Sequence, residues 1–310
     1  RNKYRWKYPT LEDKTPTIEG NLTGINELLY DWEHGHAPLN EIKMMTFAKA
    51  SNQYFSVPDA AAFSFGNGTS DSPFSVNFWF KTSDMTSQSL FSKYGAVSNQ
   101  EYYFFTDGSD RLQLYLTDES TGQTVNARST ALTSYQNELI NITVTYNGAG
   151  GGTAASGISM YINGVALTLT AFNSGLYTAM ENLTQNFEIG RGLTAFYLDG
   201  TIGNFALFSR ELSAQEALLL YNNGCAADIS SILPVDLVAY YKLSDLNGGD
   251  SSGNGYGGSP QNSPLITSFT CENSQADNCL WWNQRAEKSN PALSSSVEGV
   301  NADKQSILDS

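Results

Sequence analysis

The chain has 310 residues and a formal net charge of −14, from 31 Asp and Glu against 17 Lys and Arg. Apolar residues make up 40% of it and aromatic residues 12%, so a packed fold is expected and wholesale disorder is excluded. An acidic surface repels phosphate backbones, and no apolar run reaches the length of a membrane helix, so neither nucleic-acid binding nor membrane spanning is expected.

Residues 1–43 are polar and punctuated by prolines, which predicts an extended arm. The first nine residues, RNKYRWKYP, alternate basic and aromatic side chains. This alternation suits an acidic partner surface or a nucleic acid, but a solvent-facing strand or arm is the simpler interpretation. Because the first residue is not Met, we expect either that a leader was removed or that the chain is a segment of a longer polypeptide.

Residues 44–210 alternate apolar and polar side chains, which is the period of half-buried β-strands. The clearest examples are FSVNFWFK (74–81), RLQLYL (111–116) and LINITVTY (139–146). In GISMYINGVALTL (157–169), Asn163 and Gly164 suit the positive φ angles of a type I′ turn and predict a β-hairpin. Strands at this spacing predict an all-β fold, an antiparallel two-sheet jelly-roll sandwich.

One short helix is predicted after these strands, in LSAQEALLLYNNG (212–224). Ser213 and Glu216 have the spacing of a capping box, and Gly224 stands where a left-handed C-cap belongs. The segment LVAYYKL (237–243) then predicts a further strand of the sandwich.

The next stretch, DSSGNGYGG (250–258), has the glycine spacing of a dinucleotide-binding loop. That loop needs a helix N-terminus behind it to hold the phosphates, and Pro260 and Pro264 exclude a helix there. The glycines are therefore predicted to form turns. We expect an N-terminal arm at 1–43, a jelly-roll domain at 44–265 and a partly helical assembly tail at 266–310.

Two groups of side chains are candidate calcium ligands, because calcium binds six to eight oxygen atoms and tolerates irregular loops. The first group is Asp245, Asp250 and Asn254, and the second is Asp107 and Asp110. The alternative is that these side chains only cap turns, which Asp and Asn do commonly in loops. A single disulfide between Cys271 and Cys279 would close a short loop.

Several segments occur in a familiar order: MTFAKASNQYFSVPDAAAFSFG, PFSVNFWFKTSD, LFSKYG, NITVTYNG, MYINGV, FEIGRG and FYLDGTIGNFALFSRELSAQEALLLYNNG. Over roughly residues 44–225 this series resembles the laminin-G-like, concanavalin A-type lectin/glucanase superfamily. The segments LVAYYKLSDLNGGDSSGNGYGG and WWNQRAEKSNPALSSS are similar to parts of marine bacteriophage structural proteins. The resemblance implies a two-sheet jelly roll that binds glycans or packs in extracellular and virion assemblies, in some members with a calcium ion at one edge.

The glucanases of this superfamily carry their catalytic carboxylates on one strand as E-x-D-x-x-E, and no such run occurs here. The two histidines, His34 and His36, can assemble neither a catalytic triad nor a three-histidine zinc site with distant partners. We therefore expect that the protein is not an enzyme.

Glycan binding needs exposed aromatic rings beside amide and carboxylate groups. The candidates in or near predicted loops are Tyr94, Tyr135, Tyr177 and Tyr197. The leading prediction is a structural or decoration protein at a virion surface or in the extracellular space, which forms homo-oligomers and contacts other assembly proteins through its flanks. The alternative is a carbohydrate-binding adhesin that recognises host or environmental glycans.

Overall fold

The alternating segments of the sequence form the strands of two antiparallel sheets. The computed structural model describes residues 40–221 and 226–271, and all of these except Asn40 belong to a unit that comprises Glu41–Cys271. The predicted arm up to residue 39, the tail beyond 271, Gly224 and Cys279 lie outside the described residues. The strands are β1 (Asn40–Phe47), β2 (Tyr54–Val57), β3 (Phe74–Lys81), β4 (Ser89–Tyr94), β5 (Gln100–Thr106), β6 (Arg111–Asp118), β7 (Gln123–Ala131), β8 (Ile140–Tyr146), β9 (Ile158–Ile162), β10 (Val165–Ala166), β11 (Leu169–Phe172), β12 (Phe187–Ile189), β13 (Arg191–Gly192), β14 (Phe196–Tyr197), β15 (Gly200–Phe208), β16 (Leu237–Tyr241), β17 (Ser259–Gln261) and β18 (Leu265–Cys271).

The strand orders define a two-sheet sandwich. Sheet 1 has the order β10-β9-β8-β3-β15-β1-β18. Strand β15 is long enough to pair with two strands on one side: β1 pairs with its first residues and β16 with its last residues. Sheet 2 has the order β11-β7-β6-β5-β4-β12-β2-β17. Strands β13 and β14 form a separate two-stranded hairpin. The predicted all-β, antiparallel two-sheet jelly roll is confirmed.

The core lies between the two sheets and is filled largely by aromatic rings. Phe78 of sheet 1 stacks on Phe205 at 5.4 Å between ring centroids and meets Phe104 of sheet 2 edge to face at 6.4 Å. Phe91 and Phe187 pack against the same group of rings. Burying each ring contributes about 1.5–3 kcal/mol, so this cluster is a principal source of stability.

The outer face of sheet 1 is covered as well, which differs from the half-buried strands that the sequence predicts. All residues of β3 except the last are buried, and so is all of β8. The segment that follows β15 lies over this face, since Leu212 N donates to Ser75 Oγ at 2.9 Å. Beneath it the amide of Asn77 donates to Asn141 at 2.8 Å and to Thr143 at 2.7 Å, so these buried polar side chains satisfy one another.

The predicted hairpin and helix are both present. Asn163 and Gly164 have φ angles of 52° and 75° between β9 and β10, as a type I′ turn requires. Helix α1 (Ala214–Tyr221) begins with the predicted capping box, in which the Ser213 amide donates to the Glu216 carboxylate at 2.8 Å. A second helix, α2 (Ile229–Ile232), was not predicted, because four residues are too few to show a helical period.

The last three described strands alternate between the two sheets. After β16 in sheet 1 the chain crosses to sheet 2, where β17 pairs with β2, and it then returns to sheet 1 as β18. Residues 266–271 were predicted to start a partly helical tail, and they belong to β18 instead. No helix in the described part of the chain has the length and apolar character needed to cross a bilayer.

Candidate functional site

The outward face of sheet 2 carries a row of side chains that the strand register sets side by side. Tyr103 of β5 lies opposite Tyr115 of β6, Tyr115 lies opposite Asn126 of β7, and Asn126 lies opposite Phe172 of β11. Because side chains alternate along a strand, the buried Leu114 beside Tyr115 points into the core and Tyr115 points away from it. The row therefore crosses four adjacent strands on the side that faces away from the core.

A second row runs parallel to the first, two residues further along each strand. It consists of Phe105, Gln113, Arg128 and Thr170, which are paired in that order across β5, β6, β7 and β11. Aromatic, amide and guanidinium groups thus lie within one continuous surface. We call the two rows together the aromatic face.

Aromatic rings pack against one another along this face. Tyr94 stacks on Tyr103 at 5.7 Å, Tyr103 on Phe105 at 4.4 Å, and Phe105 meets Tyr115 edge to face at 4.9 Å. Tyr94 and Tyr103 are only 7% and 6% exposed, whereas Phe172 at the sheet edge is 39% exposed. The β4 end of the face is therefore covered and the β11 edge is exposed. Between them, Tyr115, Asn126 and Arg128 are partly exposed, and we call these three residues and Phe172 the accessible side of the face.

A short hairpin, β13–β14, covers the β4 end of the aromatic face. The Leu193 amide donates to the Tyr94 carbonyl at 3.0 Å, and Ser92 Oγ donates to the Arg191 carbonyl at 2.8 Å. Gly192 lies directly against the Tyr103 ring, where a Cβ atom would come within 2.3 Å of a ring carbon. Only glycine permits this approach, which explains why Tyr103 is nearly inaccessible.

The charged side chains at the base of this hairpin form an ion pair with each other. Arg191 lies over the ring of Tyr54 at 3.8 Å and forms an ion pair with the buried carboxylate of Glu188. Burial raises the pKa of Glu188, and the Arg191 guanidinium opposes that shift by favouring the charged carboxylate. Tyr197 of β14 packs near Tyr54 at 6.1 Å. This cluster anchors the hairpin and leaves little unpaired charge for a ligand.

Polar groups on the accessible side of the aromatic face are free of protein partners. The Tyr115 hydroxyl and the side chains of Asn126 and Arg128 form no hydrogen bond with any residue that the structure describes. Burial raises the pKa of Tyr115, so its phenol stays protonated and remains a hydrogen-bond donor near neutral pH. A phenol, an amide and a guanidinium are therefore available to a ligand beside the exposed ring of Phe172.

The four tyrosines predicted to bind glycans do not lie together. Tyr197 belongs to the β13–β14 hairpin, and Tyr94 packs against the covered end of the aromatic face. Tyr94 is the last residue of β4, next to a loop as predicted, but it is only 7% exposed, so the expected exposed ring is absent there. Tyr177 is also buried, with its hydroxyl 2.8 Å from Asp71 Oδ2, and the expected exposed ring is absent there as well. Tyr135 lies in a short 3₁₀ turn and packs against the core from its partly exposed position.

The residues that the sequence interpretation missed lie in strands instead of loops. In RLQLYL the leucines face the core, so Tyr115 stands at an outward position where a polar side chain is the usual choice. An aromatic residue at an outward position is therefore a signal in the sequence that could have identified Tyr115 as a candidate binding residue. Asn126 and Phe172 had no such signal, because only the pairing of β7 with β6 and β11 brings them beside Tyr115.

The first predicted calcium group acts as a turn cap. Asp250 Oδ1 accepts hydrogen bonds from the amides of Tyr240 and Ser252, and Oδ2 accepts from the Tyr256 amide and the Ser252 hydroxyl. A carboxylate offers about four lone-pair sites, and these four donors use them. Asn254 turns its amide nitrogen toward backbone carbonyls of β16, and Asp245 accepts from a backbone amide two residues on. This arrangement does not fit a calcium ion.

The second predicted calcium group is occupied in the same way. Asp107 accepts from the backbone amides of Ser109 and Arg111, from the Gln113 amide at 2.5 Å, and from the Arg111 guanidinium at 2.7 Å. These donors lower the pKa of Asp107 against the opposing effect of burial. Asp110 accepts from two threonine hydroxyls. Among the described residues, no group of three or more His, Cys, Asp or Glu is arranged to hold a metal ion.

Asp250→Ala is expected to lower the free energy of unfolding by about 2 kcal/mol, because three backbone amides and one hydroxyl lose a charged acceptor. Urea denaturation measures this loss. Asp245→Ala is the matched control, since that carboxylate caps one exposed amide, and its effect should stay within about 0.5 kcal/mol. A rise in the melting temperature of the wild-type protein with added calcium that Asp250→Ala abolishes would contradict the turn-cap assignment.

The strand order defines the class of the fold, an antiparallel two-sheet jelly-roll β-sandwich. A family model described as the concanavalin A-like lectin/glucanases superfamily matches residues 49–217, more than half of the chain. The protein belongs to this superfamily. A comparison with curated proteins gives no significant match.

Solved structures share the fold at low sequence identity. A candidate carbohydrate-binding protein from Bacteroides ovatus ATCC 8483 aligns with a TM-score of 0.51 and 18% identity, over 76% of this chain and 61% of that one. The binding domain of botulinum neurotoxin serotype G aligns with a TM-score of 0.40 and 19% identity, over 54% and 39%. The binding domain of Paraclostridial Mosquitocidal Protein 1 aligns with a TM-score of 0.40 and 16% identity, over 54% and 40%. The chain thus spans about three fifths or less of the length of these proteins.

Proposed function

We propose that the protein binds carbohydrate on the accessible side of the aromatic face. The observation that carries this proposal is the row Tyr115–Asn126–Phe172, in which two rings flank an amide that has no partner among the described residues. A sugar ring presents an apolar face to an aromatic ring and hydroxyls to nearby donors and acceptors. The row combines both kinds of group within three adjacent strands.

Two further observations support carbohydrate binding. The side chains of Tyr115, Asn126 and Arg128 have no hydrogen-bond partner among the described residues, so their donors and acceptors can bind the hydroxyls of a sugar. The structure from Bacteroides ovatus that shares this fold is described as a candidate carbohydrate-binding protein. The proposal corresponds to the second of the two functions that the sequence predicts.

Tyr115→Ala is expected to weaken glycan binding at least about tenfold, because burial of a large side chain contributes about 1.5–3 kcal/mol. Isothermal titration with an oligosaccharide that the wild-type protein binds measures the change. Phe269→Ala is the matched control, since this partly exposed ring lies in β18 of sheet 1. Equal affinities for Tyr115→Ala and the wild-type protein would contradict binding at this face.

The structural or decoration role at a virion surface stays a prediction. It assigns the assembly contacts and homo-oligomer formation to the two flanks, and residues 1–39 and 272–310 lie outside the described part of the chain. The extracellular location and the absence of enzymatic activity are likewise predictions. Glycan recognition is compatible with a role in surface attachment, as the adhesin hypothesis states.

A further inference from the structure

We infer that the bound glycan carries a carboxylate and that Arg128 is the residue that selects it. This inference rests on the proposed carbohydrate binding at the aromatic face and specifies the chemical class of the ligand. It depends on three features of Arg128, namely its lack of an ion partner, its contact with the Phe172 ring and its position in the second row of the face.

Arg128 differs from the other arginines in the described residues. Each of the others has a carboxylate partner: Arg111 pairs with Asp107, Arg191 with Glu188, and Arg210 with Glu216. Within residues 40–221 and 226–271, Arg128 has no carboxylate within ion-pair distance. Acidic groups are abundant in a chain with a net charge of −14, and the Asp107 carboxylate that binds the neighbouring Gln113 pairs with Arg111 instead of Arg128.

The geometry of Arg128 suits recognition of a planar anion. Its guanidinium carbon lies 4.3 Å from the centroid of the Phe172 ring, so the ring supports the cation. Its neighbours across the strands are Gln113 and Thr170, both without charge. A supported guanidinium loses little freedom when it binds, and its fork of N–H donors matches a carboxylate in bidentate fashion.

The cost of covering Arg128 favours an anionic ligand over a neutral one. A sugar that stacks on Phe172 or Tyr115 removes water from the neighbouring guanidinium, which is already partly buried. A neutral ligand would leave that charge desolvated without a counter-charge, whereas a carboxylate replaces the lost water with charge-assisted hydrogen bonds. Ligands that carry a carboxylate on a sugar ring, such as uronic or sialic acids, therefore fit this surface best.

A printed glycan array tests the inference with the labelled full chain. The array contains neutral glycans, sulfated glycans and carboxylated glycans, with each carboxylated glycan also printed as its methyl ester. The variants are Arg128→Gln, Arg128→Lys and, as the control for removal of a positive charge elsewhere, Arg210→Gln. Each protein is checked for folding by circular dichroism before use.

The wild-type protein and Arg210→Gln are expected to bind carboxylated glycans. Their signal on each methyl ester should be at least tenfold lower than their signal on the corresponding free acid. Arg128→Gln should lose the preference for the free acid while retaining weak binding to both forms, and Arg128→Lys should fall between the two. Equal binding of acids and esters by the wild-type protein, a preference confined to sulfated glycans, or an unchanged preference in Arg128→Gln would overturn the inference. If the wild-type protein binds no glycan of any class, the proposed function itself fails.

Discussion

Lys93→Met is expected to lower the free energy of unfolding by about 3–5 kcal/mol at pH 8, because it removes the cation from a buried charge cluster. Lys93 and Glu101 are both fully buried, with Lys93 Nζ 2.5 Å from Glu101 Oε1 and 2.9 Å from Asp59 Oδ1. The same ammonium donates to the Leu183 carbonyl. Without Lys93, the Glu101 carboxylate stays in the protein interior without a counter-charge.

The loss should depend on pH with a defined sign. Burial raises the pKa of Glu101 from 4.5 to about 7, and Lys93 opposes this shift. The folded protein therefore holds a proton on Glu101 that the unfolded chain releases near pH 4.5. This contribution to stability is complete below about pH 4.5 and is lost as the pH rises through about 7. Removal of Lys93 should consequently cost less at pH 5, where Glu101 is neutral, than at pH 8.

Urea denaturation at pH 5 and pH 8 measures both quantities. Lys93→Met with Glu101→Gln in the same chain should recover part of the stability at pH 8, because no buried ion then lacks a partner. Lys242→Met is the control, since Lys242 forms an exposed pair with Asp228, and its effect should stay within about 1 kcal/mol. Equal losses for Lys93→Met at the two pH values would show that Glu101 does not titrate as stated.

Asp71→Ala should lower the free energy of unfolding by roughly 3 kcal/mol, because it leaves several buried donors unpaired. Asp71 Oδ2 accepts from the hydroxyls of Tyr146 at 2.7 Å and Tyr177 at 2.8 Å, and Oδ1 accepts from the Met180 amide at 2.8 Å. Both tyrosine rings are buried, so water does not readily replace the carboxylate. The contact joins the loop before β3 to the segment before β12.

A double-mutant cycle with Tyr177→Phe tests this assignment. Once Asp71 is absent, removal of the Tyr177 hydroxyl should cost less than it does in the wild-type protein, since the unpaired group disappears. Thermal denaturation of the wild-type protein, both single variants and the double variant provides the coupling energy. Strict additivity of the two single losses would contradict a direct bond between the two side chains.

The sequence is a good guide to the fold because its strands and turns are encoded locally. The alternation in residues 74–81 identifies a strand, Asn163-Gly164 identifies a hairpin, and the capping box identifies α1. Each depends on residues close together in the chain. The covering of the outer face of sheet 1 was not predicted, because it depends on the segment after β15 returning over β3.

The candidate site was less predictable, because it depends on contacts between distant segments. Tyr115, Asn126 and Phe172 come from three strands, and the row exists only in the observed register. Exposed tyrosines were expected in or near loops, yet the Tyr177 ring is buried and its hydroxyl donates a hydrogen bond to Asp71. The family resemblance predicted the architecture correctly, but it did not indicate which sheet surface carries unpaired polar groups.

Strands β16, β17 and β18 bear on the choice of a fragment for expression. They lie beyond the family match at 49–217 and pair with β15, β2 and β1 respectively. Val238 and Tyr241 contribute to the main core, where Tyr241 packs against Phe55 at 5.2 Å between ring centroids. A recombinant fragment trimmed to the family match would open edges in both sheets and leave part of this core unfilled, with the exposed edges prone to self-association. We therefore expect a fragment of residues 41–271 to be more stable and less prone to self-association than one of residues 49–217.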